Sequence, residues 1–225
     1  MLSSIISGDM TPLDVVIYIL STLTVIFLTL PVHEFAHGWA AVKLGDNTPR
    51  WQGRLTINPF AHIDYIGALC ILLFGFGWAK PVQVNQNNFR NPKRDMALTA
   101  LAGPVSNIIV ALITMLLFNA CLNLLGVIGV WMQYVAWFFF YVASINVSLA
   151  VFNLIPIPPL DGSRLLSALL PYKYYYALMR YERYIFFGLL ALLWIGVLDV
   201  PLNYLSNALM NLIGTIARLP FIFIR

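Results

Sequence analysis

Residues 15–37, VVIYILSTLTVIFLTLPVHEFAH, decide the fold of this chain. The run from Val15 to Val32 contains no charged residue, and it is as long as a helix that crosses the hydrocarbon core of a bilayer. The last five letters, HEFAH, place three ionisable side chains directly after this run. Ionisable groups at membrane depth are costly and mark functional sites. The stretch therefore predicts a membrane protein with a polar site at one end of its first helix.

The H-E-x-x-H spacing predicts a metal site. On a helix, His33 and His37 lie one turn apart on the same face, so both imidazoles reach one metal ion, while Glu34 lies beside them as a proton acceptor. The chain has three histidines and two glutamates, and three of these five residues fall in this one turn. A buried polar cluster held by hydrogen bonds is the alternative. The pattern is typical of zinc hydrolases, but it indicates a metal more strongly than a particular reaction.

The composition is that of an integral membrane protein. Of the 225 residues, 60% are hydrophobic and 10% are charged, and the mean hydropathy is +0.82. The net charge of +4 comes from basic residues in loops that flank apolar segments, which argues against nucleic-acid binding. The basic residues between Lys43 and Arg94 place that region in the cytoplasm, so we expect the N-terminus outside.

Five long apolar segments predict an all-α polytopic membrane protein with five to six transmembrane helices. The segments are residues 13–43, 97–118, 131–153, 183–198 and 202–217. Residues 66–78 are apolar, but they are too few to span comfortably and contain glycines, so we expect a re-entrant segment there. We expect the whole chain, residues 1–225, to be one membrane domain with a core at 13–170 and C-terminal helices at 183–217.

Alternating apolar and polar residues predict two short β-strands at the membrane surface. The pattern covers Arg50 to Asn58 and returns at Pro81 to Asn85. Such strands would offer an edge to an extended peptide.

A catalytic zinc ion needs a third protein ligand and an open position for water. Asp64, Asp161 and His62 are the candidates, since the other acidic side chains fall in basic loops or on the far side of the membrane. Asp161 lies in NLIPIPPLDG, residues 153–162, where three prolines keep the backbone out of helical geometry. Asp161 could instead cap the next helix, and Asn153 could cap the helix before it.

Three motifs together resemble the site-2 proteases, which are intramembrane zinc metalloproteases. The motifs are HEFAH at 33–37, GPVSN at 103–107 and NLIPIPPLDG at 153–162, and the resemblance covers roughly residues 13–170. It implies that His33, His37 and Asp161 bind one zinc ion and that Glu34 is the catalytic acid and base. It also implies that Asn153 binds the substrate or stabilises the intermediate. The sequence shows no PDZ or CBS domain, so it is similar to a minimal member.

The expected function is hydrolysis of a peptide bond in or near a transmembrane segment. Its partners would be a transmembrane protein substrate and the lipid bilayer of a prokaryotic cell membrane, with the active site towards the cytoplasm. The alternative is a zinc transporter or sensor without proteolytic activity. A carrier needs metal ligands but no general base, so Glu34 distinguishes the two hypotheses.

Overall fold

The computed structural model describes residues 11–74 and 77–222, and these residues fold mainly as helices. In chain order, the helices are α1 (Pro12–Thr24), α2 (Leu30–Leu44), α3 (Thr48–Trp51), α4 (Pro59–His62), α5 (Tyr65–Phe74), α6 (Pro92–Ile128), α7 (Trp131–Asn153), α8 (Asp161–Leu169), α9 (Tyr172–Arg180), α10 (Glu182–Ile195) and α11 (Asp199–Arg218).

The first span is one continuous rod made of α1, a π-helical turn and α2. Thr11 and Asp14 begin it with a capping box, in which each side chain accepts a hydrogen bond from the other residue's backbone N–H. The π-helical turn Val25–Thr29 comes just before Pro31, which has no N–H to continue the α-helical ladder. Gly45 ends α2 with φ +115°, a conformation that other residues adopt at a cost. This rod carries both predicted metal-binding histidines.

Helices α6 and α7 form a long hairpin that packs against the first span. Small residues let the helices approach closely, since Ala111 and Ala143 are fully buried beside Met115 and Val147. Helix α11 crosses this pair and adds Ile213 to the same cluster. The hairpin holds α6 against α2, where the metal centre forms.

The structure supports fewer membrane spans than the five to six predicted. Within the described residues, three helices are long and apolar enough to cross a membrane: Pro12–Leu44, Pro92–Leu124 and Trp131–Asn153. Helices α10 and α11 pass this test only as a pair, bent by 84°, which would make a fourth span. Neither helix passes the test alone, because Gly196 ends α10 after 14 residues and α11 carries several asparagines. The predicted separate spans at 183–198 and 202–217 are therefore not confirmed.

The predicted surface strands are not formed in the described part of the chain. Pro49 lies in the first turn of the short helix α3, and Asn58 caps α4 by accepting a hydrogen bond from the Phe60 N–H. The residues from Pro81 to Asn85 are extended, but they pair with no strand. Their N–H groups donate to carboxylates instead, as the metal centre shows below. Alternation of polar and apolar residues here reflects the two sides of an extended loop.

Both ends of the segment at 66–78, as far as the structure describes it, lie close to the same loop. Helix α5 has ten residues, which give about 15 Å, half of a bilayer core. A Cβ on Gly67 would overlap the carbonyl oxygen of Trp78, and the Lys80 N–H donates to the His62 carbonyl at 2.7 Å. The chain is thus back at its starting level by residue 80, as a re-entrant segment requires. Residues 75 and 76 lie outside the described residues.

The close approach at Gly67 gives a test of this arrangement. We expect Gly67→Ala to lower the midpoint of thermal unfolding in detergent, because the added Cβ would meet backbone atoms that cannot move aside. Gly188→Ala in α10 is the matched control, since nothing lies within 4 Å of its added Cβ. Alanine there should leave stability equal or raise it by about 0.5–1 kcal/mol through helix propensity. Equal midpoints for the two variants would contradict the close approach.

Candidate metal centre

Three metal-ligating side chains meet where α2, α6 and α8 come together. His33 Nε2 lies 3.2 Å and His37 Nε2 lies 3.1 Å from Asp161 Oδ2, and the two imidazole nitrogens are 3.1 Å apart. Both histidines are buried, and the Asp161 side chain is 19% exposed. Among the described histidines, cysteines, aspartates and glutamates, this is the group close enough to share one ion. The structure thus brings together the three predicted ligands.

Asp161 is held by the proline-rich loop and does not cap its helix. Leu160, with extended backbone, is the N-cap residue of α8, and no side chain caps that end. Gly162 allows α8 to lie against the loop, because a Cβ there would overlap the carbonyl oxygens of Leu154 and Ile155. The Asp161 carboxylate is therefore free to face the histidines.

The proton positions on the His37 ring follow from its partners. Its Nδ1 lies 2.7 Å from the carbonyl oxygen of Thr99 on α6. A carbonyl only accepts, so Nδ1 carries a proton, and Nε2 is the nitrogen of the neutral ring that would bind a metal ion. Such a hydrogen bond from the second ring nitrogen is the usual way in which proteins orient a metal-binding histidine.

The donor set fits zinc. Four ligands at about 2.0–2.1 Å in a tetrahedron lie roughly 3.3 Å apart, close to the observed separations of 3.1–3.2 Å. Two imidazole nitrogens and a carboxylate also form a ligand set that zinc accepts. Burial disfavours a charged carboxylate, but the adjacent His37 and His33 outweigh it and hold the pKa of Asp161 well below its usual range.

The catalytic cavity, as we name it, opens beside these ligands. Its volume is about 750 Å³, and its lining includes His33, Glu34, Asn153 and Asp161. Glu34 is buried, and its Oε2 accepts a hydrogen bond of 2.9 Å from the backbone N–H of Val82. The Asn153 side chain makes no hydrogen bond to the described residues, so the alternative of helix capping is not observed. The cavity brings an acid-base candidate and an amide to the open side of the centre.

The two other candidate ligands lie outside the centre and have structural roles. His62 is fully buried, and its Nε2 donates to the Thr56 carbonyl at 2.7 Å. Asp64 accepts a hydrogen bond of 2.9 Å from the Gly67 N–H at the start of α5. His62 thus stabilises the turn around α4, and Asp64 stabilises the start of α5.

Comparisons with known proteins agree with this geometry. The model of peptidase family M50 matches residues 120–196, which include Asn153 and Asp161. "Putative zinc metalloprotease YwhC" of Bacillus subtilis is 41% identical over 164 residues, 71% of this chain and 72% of that protein. The chain belongs to peptidase family M50, the site-2 proteases. This M50 chain is thus an integral membrane zinc metalloprotease.

More distant relatives are similar over a shorter region. "Putative zinc metalloprotease Rip2" of Mycolicibacterium smegmatis is 29% identical over 60% of this chain and 51% of that protein. Rip2 of Mycobacterium tuberculosis is 31% identical over the same fractions. This M50 chain therefore covers about half the length of the Rip2 proteins. No solved structure matches the chain significantly.

Two acidic residues are buried where the sequence predicts solvated charges. Asp46 and Asp95 fall in basic loops, yet both side chains are buried. Asp46 accepts hydrogen bonds from the Thr48 N–H, the Asn85 N–H and the Asn88 side chain at 2.7–3.0 Å. Burial alone would raise the pKa of Asp46, but these bonds outweigh it and lower that pKa.

Asp46 anchors the loop that contacts Glu34. It binds the N–H of Asn85 at one end of the extended loop, while Glu34 binds the N–H of Val82 three residues earlier. The turn sequence Asp46-Asn47-Thr48-Pro49 could have indicated this role, since aspartate commonly binds the backbone two residues later in such turns.

Gly103 on α6 faces the two histidines, which gives a direct test of the centre. A Cβ at Gly103 would lie 2.6 Å from His33 Nε2 and would overlap His37 Nε2. We expect Gly103→Ala to lower the zinc content of the purified protein to a small fraction of one ion per chain, measured by elemental analysis. Gly214→Ala is the control, because its Cβ would make an ordinary contact of 3.6 Å with Met115. Full zinc occupancy in both variants would contradict the site.

Proposed function

We propose that His33, His37 and Asp161 hold one zinc ion in this M50 chain and that Glu34 is its catalytic acid and base. The substrate would be a membrane protein cleaved in or near a transmembrane segment, as in regulated intramembrane proteolysis. The observation that supports this best is the meeting of three ligand atoms within 4.8 Å, at the end of a membrane span and beside a cavity that Glu34 lines.

Glu34 is suited to move the protons of peptide hydrolysis. Zinc, when bound, supplies a Lewis acid that makes water more acidic and polarises a carbonyl. The Glu34 carboxylate faces the cavity, takes a proton from the attacking water and delivers it to the leaving amine. The Val82 N–H fixes one carboxylate oxygen and leaves the other for this transfer.

Asn153 would contribute to stabilising the negative charge that develops on the carbonyl oxygen. Its side chain lines the same cavity as Glu34, and its amide has no partner among the described residues. An amide N–H directed at a developing oxyanion is often worth several kcal/mol of barrier height. Asn153 therefore has the chemistry and the position for this role.

The substrate would reach Glu34 in an extended conformation. In a helix, each carbonyl is engaged by the substrate's own backbone, so the segment must unwind before attack. Helix-weakening residues near the scissile bond should therefore favour cleavage. We place the catalytic cavity towards the cytoplasm, with the N-terminus outside, because the loops around the centre carry most of the basic residues.

The role of Asp161 can be tested separately from activity. We expect Asp161→Asn to weaken zinc binding by at least about 100-fold, since even residues that only support a ligand cost 10–100-fold. Asp64→Asn should keep its zinc, because that residue caps α5. Competition with a fluorescent chelator measures both affinities. If Asp161→Asn binds zinc as tightly as the wild type, the third ligand is a different residue.

Glu34→Gln separates proteolysis from transport. We expect this variant to keep its zinc and to lose cleavage by roughly 10²–10⁴-fold, because the amide cannot accept the proton. The measurement is co-expression of single-span membrane proteins with wild type or Glu34→Gln, followed by immunoblotting for fragments that only the wild type produces. Zinc flux into liposomes that is equal for both proteins, without any fragment, would show a transporter and overturn the protease proposal.

A further inference from the structure

A second cavity continues the catalytic cavity along α7. It has a volume of about 500 Å³ and lies between α1, α7 and the bent pair α10–α11. We call it the distal cavity, and its polar lining includes Tyr18, Thr22, Ser144, Ser148, Asn203 and Ser206. The two cavities share lining residues, among them Leu149, Phe152 and Leu193, so they are neighbouring parts of one groove.

Three hydroxyls of this cavity, those of Ser144, Ser148 and Ser206, differ from several other hydroxyls of the membrane helices. Ser21 donates to the carbonyl of Ile17, Thr114 to that of Val110, and Thr22, which also lines the cavity, to that of Tyr18. Ser144 and Ser148 make no hydrogen bond within the described part of the chain. The same is true of Ser206 and the Asn203 amide on α11. Polar groups at membrane depth cost free energy unless they find a partner, so this cavity is built to bind one.

The spacing along α7 relates the distal cavity to the zinc centre. Ser144, Ser148 and Phe152 are four residues apart and therefore share one face of the helix, which ends at Asn153. At 1.5 Å per residue, Ser148 lies about 7 Å and Ser144 about 14 Å from Asn153 along the axis. The polar side chains thus follow the direction that a membrane-spanning substrate would take from the centre.

We propose that the distal cavity binds a small polar side chain of the substrate's transmembrane segment, a hydroxyl or a carboxamide, about five to nine residues from the scissile bond. This rests on the proposed function. A residue of the substrate that is itself costly in lipid gains hydrogen bonds to Ser144 and Ser148 when the segment enters the groove. Specificity then depends on a polar residue buried in the membrane as well as on the sequence at the cleaved bond.

The chemistry of the lining favours neutral partners. Serine hydroxyls and an asparagine amide donate and accept equally, which suits hydroxyl and amide side chains. Asp199, at the start of α11, is the one charged residue that lines the cavity. Among the described lining residues, a lysine side chain of the substrate would find only this one carboxylate as an ion-pair partner, so the cavity suits a neutral side chain better.

The first experiment uses a designed single-span reporter with a Leu-Ala helix and an Asn-Gly pair at its cytoplasmic end. One guest position, five to nine residues further into the membrane, carries Ser, Asn or Leu. We expect wild type to cleave the Ser and Asn reporters about fivefold faster than the Leu reporter, the effect of one modest hydrogen bond. The double variant Ser144→Ala, Ser148→Ala should bring this ratio close to one.

Thr215→Val is the matched control for this experiment. Thr215 lies on α11, and its hydroxyl donates to the Asn211 carbonyl at 2.8 Å within the same helix. This variant should keep the fivefold preference. A ratio near one in the wild type, or an unchanged preference in the serine double variant, would overturn the proposal.

A second readout does not depend on cleavage. In Glu34→Gln with Cys70 and Cys121 replaced by Ser, we expect Ser148→Cys to form a disulfide with a guest cysteine of the reporter, and Thr215→Cys to form none. Equal cross-linking at both positions would show that substrate does not occupy the distal cavity. Cross-linking at Ser148→Cys, together with a wild type that cleaves no reporter, would overturn the proposed function and leave substrate binding intact.

Discussion

The close approach of α6 to α2 at Gly103 is the contact on which the metal centre depends. A glycine there lets the helix backbone lie against both imidazoles, and a single added carbon would occupy the space of the metal ligands. One turn earlier, the Thr99 carbonyl accepts a hydrogen bond from His37 Nδ1 and fixes that ring. The hairpin of α6 and α7 then carries the chain to Asn153 and the loop that brings Asp161 back. The spans are thus packed around the contact between α6 and α2 at Gly103.

The same arrangement explains how a membrane protein can carry a hydrolytic site. The ligands lie at one end of a span, next to loops whose backbone groups bind carboxylates. Asp46 anchors the extended loop, and that loop donates the Val82 N–H to Glu34. Beyond the centre, α7 presents serines towards a groove that α10 and α11 border. The catalytic residues that we propose lie at one end of the groove, and we infer that the other end binds the transmembrane segment of the substrate.

Local patterns predicted some elements well and others poorly. The first three spans follow from uninterrupted apolar runs. In lipid, the backbone of such a run must satisfy its own hydrogen bonds, and a helix does so. The C-terminal helices were harder, because Gly196 and the asparagines of α11 make a bend whose angle depends on packing against α6 and α7. The predicted surface strands are not found in the described residues. Alternation of polar and apolar residues also occurs in a loop with one polar side, and a strand needs a partner strand to pair with, which the described residues do not provide.

The sequence by itself determined that this chain is a membrane protein and that His33, Glu34 and His37 share one helical face, because both conclusions depend on composition and helical period alone. It also limited the third ligand to a few residues. Only the tertiary structure shows that Asp161, 128 residues from His33 along the chain, lies beside the two histidines and that Asp64, 31 residues from His33, does not. It also decided that Asp46 is an anchor, that Gly103 borders the ligands and that unpaired hydroxyls line a cavity. Such facts depend on contacts between distant segments, which no local pattern records.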